Sequence, residues 1–348
     1  MRRVHLVIFL FSLPALTTNS TAQPKLSVTS QIDSLIQAEK RLDFTGSVLV
    51  AKGSTVLHKR NYGLDLDQEY SYWIASLSKQ FCAASILRLR DNGLLSTDDT
   101  ISKYLQDVPQ SKKSITFHQL LTHTSGLGDH YSADGITGRN EAINEILSKD
   151  SQPTETYRYS SDGYQLLAAL VEIISGKSYE EFLQSEFFEP LKMSHTGFSG
   201  DLKKWNSLAI PPWSKRKTDN LQTWPTNYGY KGATGIITSV QDLMQWQLAL
   251  FDRKVLSESS TDLLFTRHVE KQGELFYGYG WNLFDSSRGE VIVHSGSDDF
   301  VRHNSTLRHF KDSKITIIVL DFNGSFKGTS KARILAGKLI SIAHNAQL

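Results

Sequence analysis

The sequence predicts an α/β protein of the α+β kind: one antiparallel sheet built from both chain ends, flanked by helices, with a mainly helical segment inserted between. Three observations carry this. The runs GSVLVAKG and STVLHKRNYG, rich in β-branched residues, lie between Gly46 and Gly63. A second set of strand-like runs, YGYGWNLF, EVIVH, FVRHNSTL and KITIIVLDF, follows residue 275. Between them the longer apolar stretches repeat with helical spacing. The 348 residues are 39% hydrophobic and 21% charged, which suits a packed core and excludes a disordered chain. The sheet part is expected at about 23–95 and 235–348, and the helical subdomain at about 96–234. No flexible linker separates them, so residues 23–348 read as one domain.

Met1-Arg2-Arg3, an apolar run from Val4 to Leu16 and the small residues Ser20-Thr21-Ala22 have the order of a secretory signal peptide over 1–22. Export to the periplasm or the extracellular space is therefore expected. Residues 29–42 read as an amphipathic helix, followed by a hairpin that turns at Lys52-Gly53. A strongly apolar helix runs from about Ser76 to Asp91 and stops at Asn92-Gly93. Helices are also expected at 115–123 and at 161–175, the second ended by Gly176. The stretch 196–231 is irregular, with Pro211, Pro212 and Pro225, and its Trp205, Trp213 and Trp224 suit either a substrate groove or a cover on the core edge. Ser239 to Asp242 opens another helix, and a last one spans about 329–344.

Charge and cysteine content narrow the partners. The net charge is +2 from 38 basic and 36 acidic residues, too balanced for a nucleic-acid surface. No run reaches the roughly 18 apolar residues of a membrane span. Cys82 is the only cysteine, so no intramolecular disulfide forms and the thiol is expected to be buried. Metal and nucleotide motifs are missing, and His123 and His130 lack the spacing of a ligand cluster, so no metal or organic cofactor is expected. His123, in His-Thr-Ser-Gly-Leu, reads as a structural residue at a helix end.

What remains is Ser76 with Lys79 one helical turn later, so that the amine reaches the hydroxyl. A serine hydroxyl needs a base, and a buried lysine of lowered pKa supplies one. With 41 serines and 23 lysines, about three such pairs arise by chance, so context decides. The other pair, Ser214 and Lys217, lies in a basic stretch flanked by prolines and reads as a solvated loop. The first opens the most apolar helix, where burying Lys79 for packing alone is costly. Ser78 adjoins Lys79 and points elsewhere.

The run Trp73-Ile-Ala-Ser76-Leu-Ser-Lys79 resembles the nucleophile motif of the class C β-lactamase and penicillin-binding-protein superfamily of serine hydrolases. Further segments fall in that family's order: Ile115 to Leu127, Tyr159-Ser160-Ser161, Gly232 to Ser239, Tyr277 to Trp281 and His294-Ser295-Gly296. The likeness spans about residues 30–340. It implies a β-lactamase/transpeptidase-like fold and catalysis by Ser76 as the acylated nucleophile, Lys79 as its activator and Tyr159 as general base. A phenol titrates near pH ~10, so that role calls for a neighbouring cation such as Lys79. The resemblance further implies an oxyanion hole of the Ser76 and Ser297 backbone N–H groups, with Ser161, His294, Ser295 and Gly296 at the substrate.

Two positions depart from the family pattern. Ser161 stands where the family has Asn, removing an amide that orients the acyl side chain. His294 stands where it has Lys, so a fixed cation gives way to a group of reference pKa ~6.5. Both weaken the case for β-lactams and D-Ala-D-Ala peptides in particular. Histidine there also resembles the esterase and D-aminopeptidase branches, and Arg302 and His303 on the next strand are candidates to restore positive charge. The expected partner is a small-molecule or peptide substrate: an ester, an amide or a β-lactam. The rival readings are a carboxypeptidase, D-aminopeptidase or penicillin-binding protein acting on cell-wall peptides, and a binding module that has kept the fold. Oligomeric state is not legible.

Overall fold

The computed structural model describes residues 27–149, 154–198, 226–298, 301–326 and 328–346. The expected signal peptide, the three tryptophans at 205, 213 and 224, and the Ser214–Lys217 pair lie outside the described residues. Helix α1 (Val28–Ala38) starts at Ser27, whose hydroxyl accepts from the Ser30 N–H. It ends earlier than expected, because residues 40–42 tighten into a 3₁₀ turn and Asp43 takes a left-handed φ of 45°. Strands β1 (Gly46–Lys52) and β2 (Thr55–Tyr62) form the expected hairpin, with one register shift at Val50/Ala51.

The middle of the chain is mostly helical. After the short strand β3 (Tyr72–Trp73) come α2 (Lys79–Asp91), α3 (Phe117–Leu121), α4 (Arg139–Ser148), α5 (Ser161–Ser175) and α6 (Tyr179–Leu183). The short strands β4 (Gly197–Phe198) and β5 (Ile236–Thr238) follow, then α7 (Val240–Phe251) and α8 (Glu258–Leu264). Helix α5 has the expected bounds and ends at Gly176, φ 73°. Helix α3 is shorter than expected: a Thr116/Gln119 capping box starts it, and residue 123 has already left helical geometry with φ 62°. Helices α4, α6 and α8 and the small sheet β3-β5-β4 had no counterpart in the sequence reading. Their segments are too short for periodicity to show.

The large sheet is completed by β6 (Val269–Gln272), β7 (Leu275–Tyr277), β8 (Asn282–Ser286), β9 (Gly289–Asp298), β10 (His303–Phe310) and β11 (Ile315–Asp321). Its order is β2-β1-β11-β10-β9-β8-β7-β6, with every neighbouring pair antiparallel. The two chain ends therefore meet at its centre, where Gly46 lies opposite Asp321 and Lys52 opposite Ile315. Helix α9 (Lys331–His344), capped by Ser330, closes the chain.

Alternation along the central strands explains their unbroken apolar sequence. Val48, Val50, Ile317 and Val319 join Leu335 and Leu339 of α9 in one core, while Leu49, Ala51, Ile318 and Leu320 join the larger core around α2 and α5. Both faces of the sheet are covered, so both sets of alternate residues are apolar. Helix α2 is buried almost all round and sits between the sheet and the helical part. Its first turn points the Ser76 region at the free edge of β9.

Candidate active site

From Ser71 to Leu87 every residue is buried except Ser76, which is half-buried. The wall opens at one hydroxyl. Ser76 lies in a 3₁₀ turn over Ala75–Ser78, and Ala75 holds a left-handed φ of 48° that an alanine adopts only under constraint. The constraint is visible on both sides. The Ile74 N–H donates to the Ile236 carbonyl at 3.0 Å, and Ser305 Oγ donates to the Ile74 carbonyl at 2.6 Å. Ser78 points away, donating to the Thr234 carbonyl and accepting from the Ile236 N–H at 3.2 Å.

Lys79 is wholly buried, and its Nζ reaches the Ala233 carbonyl at 3.0 Å, Ser76 Oγ at 3.3 Å and Ser161 Oγ at 3.5 Å. Among the described residues it has no carboxylate partner. Burial pulls its pKa below the ordinary lysine value, and the more distant Tyr131 and Asp129 only partly oppose this. Tyr159 donates its phenolic O–H to Ser76 Oγ at 2.8 Å, and Lys79 Nζ lies 4.8 Å from its ring centre. The lysine does not bring the phenol towards neutrality, because burial dominates and pushes Tyr159 well above its usual value. The free protein thus holds Tyr159 as a neutral donor beside an amine that gives up its proton readily.

His123 supports Tyr159 from behind. It is fully buried, its Nδ1 accepts from the Ser160 N–H at 3.1 Å, and its ring lies 4.5 Å from that of Tyr159 and 4.7 Å from that of Tyr277. Burial keeps it neutral. Ser161, in the place of the family's Asn, is buried; its N–H donates to Asp129 Oδ1 at 3.2 Å.

The third wall is the edge of β9. A Cβ on Gly296 would lie 2.0 Å from the Ile74 carbonyl oxygen and 2.9 Å from the Ser76 nitrogen, so only glycine lets the strand pass the nucleophile turn. Ser297, one residue on, is exposed, and its Oγ donates to Asn304 Oδ1 at 2.7 Å. The Ser295 hydroxyl pairs with that of Thr306 at 2.9 Å. His294 is buried, with Nδ1 2.9 Å from the Ser295 carbonyl and Nε2 3.3 Å from the Tyr277 hydroxyl. Burial lowers it to about 3, with Lys79 and Lys271 adding to the effect, so it offers no positive charge. Nor do the two candidates on the next strand. His303 is buried, accepts from the Trp73 N–H at 2.9 Å and is lowered by burial to about 3. Arg302 is exposed and donates to Asn323 Oδ1 at 3.0 Å.

Ser76, Tyr159, His294, Ser295 and Ser297 open into one cavity of about 530 Å³, a volume suited to a small molecule. Its lining includes Asp129, Tyr131, Lys271, Arg308 and Arg333, which the sequence reading had not singled out. Each comes from a different element, and no local spacing announced them. No group of described residues could hold a metal ion, and no described helix is long and apolar enough to cross a membrane.

The sequence profile of the Beta-lactamase family matches residues 36–333. Among curated proteins the chain is similar to a penicillin-binding protein of Bacillus subtilis, 28% identical over 319 residues, which cover 80% of this chain and 68% of that one. It is also similar to the putative penicillin-binding protein PbpX of the same organism, 27% identical, with 82% and 72% covered. Two solved structures share the fold. The octameric penicillin-binding protein homologue from Pyrococcus abyssi superimposes with a TM-score of 0.75 at 23% identity, covering 91% of this chain and 78% of that one. The D-amino acid amidase from Ochrobactrum anthropi SV3 gives 0.74 at 18% identity, covering 92% and 97%.

Proposed function

The chain belongs to the Beta-lactamase family of serine hydrolases, and we propose that it cleaves an ester or amide through an acyl-enzyme on Ser76. One observation carries this reading: a half-exposed serine at the floor of a cavity, within hydrogen-bond reach of both a buried lysine without an acid partner and a neutral tyrosine.

The pKa directions support a division of labour. Lys79, lowered by burial, is the group that takes the Ser76 proton as Oγ attacks the carbonyl carbon. Tyr159, raised by burial, keeps its proton until the leaving group accepts it, and Lys79 then returns a proton to the phenol. Hydrolysis runs the relay in reverse: water attacks the acyl carbon, its proton passes to the Tyr159–Lys79 pair, and Ser76 regains its hydrogen as the acid departs. The backbone N–H groups of Ser76 and Ser297 are the oxyanion donors in this scheme; the forced approach of Gly296 to the Ser76 nitrogen supports that assignment. Cell-wall peptides are the second reading, favoured by the relatives named as penicillin-binding proteins.

The test is intact mass spectrometry after mixing with a 4-nitrophenyl ester of a short acid, beside Ser76→Ala. A mass gain of one acyl group, absent from the variant, is the expected result. Equal turnover by the variant overturns the assignment.

A further inference from the structure

Resting on that hydrolase reading, the geometry points to a substrate that carries an anionic group, such as a carboxylate, held in the catalytic cavity by Lys271, Arg308 and Arg333. These three come from strand β6, strand β10 and the first turn of α9, far apart in the chain, yet all line the cavity that holds Ser76. The sheet register accounts for part of the convergence. Asn282 lies opposite Val293 and Val293 opposite Arg308, so one row of cavity-lining residues crosses β8, β9 and β10.

Cations elsewhere on this sheet have acids. Arg267 pairs with Asp285 and Glu290, Lys311 with Glu290, and Lys59 with Glu69. The three cavity cations have none among the described residues. Lys271 Nζ meets only Asn282 Oδ1, at 3.3 Å, and the Tyr157 ring, at 5.1 Å. The Arg308 Nε is buried with no hydrogen-bond partner. Arg333 stands three residues after the Ser330 cap, at the helix end whose dipole disfavours a cation. Burial and the charge of Arg333 lower both Lys271 and Arg308, as expected for like charges left uncompensated.

The fold thus concentrates positive charge where it gains nothing from its own neighbours. Two guanidinium forks and an ammonium match an oxyanion through charge-assisted hydrogen bonds. His294 is neutral, so this trio takes over the attraction of a negative substrate, from the sheet face next to α9. Asp129, the carboxylate among the described lining residues, forms no ion pair with any of the three.

The experiment uses two matched ester pairs, one with the carboxylate on each side of the scissile bond. These are phenyl acetate against 4-carboxyphenyl acetate, and 4-nitrophenyl acetate against the 4-nitrophenyl half-ester of glutaric acid. The expected result is a preference in kcat/KM for the anionic member of at least one pair, about tenfold at low salt and smaller at about 0.5 M salt. Arg333→Gln and Lys271→Gln, both at exposed positions, should bring the ratio towards one, with Arg333→Lys retaining part of it. Lys311→Gln, on the same sheet but paired outside the cavity, should leave the ratio as it is. Equal rates within both pairs, or a preference that survives Arg333→Gln and Lys271→Gln together, overturns the proposal and leaves the hydrolase reading standing. Absence of turnover and of a Ser76 adduct overturns the hydrolase reading instead. The anion site is then judged by ligand-observed NMR on Ser76→Ala: tighter binding of 4-carboxyphenyl acetate than of phenyl acetate upholds it, and equal binding overturns it.

Discussion

Two lysines lie at opposite ends of α5, and the protein treats them in opposite ways. At the carboxyl end Lys231 is largely buried, with Nζ 2.8 Å from Glu172 and 3.0 Å from Glu180. Burial pulls its pKa down, but the two carboxylates more than offset this and the group ends above the ordinary value. At the amino end Lys79 is buried more completely, is given only neutral oxygens, and ends below the ordinary value. The segment from 228 to 234 serves both, since Ala233 supplies the Lys79 acceptor two residues after Lys231. A lysine kept for structure receives acids. Lys79 is denied them, and the cost of that choice makes sense only as chemistry.

The sharpest way to break the comparison is to remove each amine in turn. Lys79→Met should lower turnover about 1,000-fold while changing unfolding free energy by about 1 kcal/mol or less, because an uncompensated buried cation disappears. Lys231→Met should do the reverse. It leaves Glu172 and Glu180 without their cation and should destabilise by about 3 kcal/mol in urea unfolding, with the Ser76 chemistry intact. Equal effects of the two changes on stability would sink the distinction. Gly296→Ala tests the wall opposite Lys79: the added Cβ forces β9 from the Ser76 turn, and turnover should fall about 100-fold, read as kcat with secondary structure checked by circular dichroism.

The smallest effect is on pH dependence, and its sign differs between the lysines. Lys79 has a folded pKa below its unfolded value of about 10.4, so the unfolded chain binds more protons there and stability rises with pH up to that value. Lys231 has a folded pKa above the same reference; its contribution is full below about 10.4 and is lost as pH rises through the folded value. Stability measured from pH 8 to 11, as wild type minus each Met variant, should slope upward for Lys79 and downward for Lys231. Turnover should also rise on an alkaline limb set below the ordinary lysine range. Two parallel slopes would contradict the assignment.

Legibility in the sequence followed the range of the physics involved. Helix α5 was readable to its last residue because Gly176 supplies a left-handed end that any reader of local signals finds. The Ser76–Lys79 pair was readable because one helical turn joins it. Tyr159 needed the resemblance, since 83 residues separate it from Ser76 and nothing local links them. Lys271, Arg308 and Arg333 were invisible: each is an ordinary surface-type residue in its own segment, and only the sheet register and the docking of α9 bring them into one cavity. Arg302 and His303 failed for the same reason, because strand position did not reveal which way they face.

The stitching of the nucleophile turn also orders events in time. Ser305 and Ile236 hold Ile74, Gly296 passes beneath it, and β1 finds its partner in β11, with Gly46 opposite Asp321. A chain emerging from the ribosome carries Ser76 and Lys79 long before any of these props exists. Such distant pairings form late in folding. Competence to attack a carbonyl therefore arrives abruptly, near the end of synthesis, and every half-made copy is chemically silent.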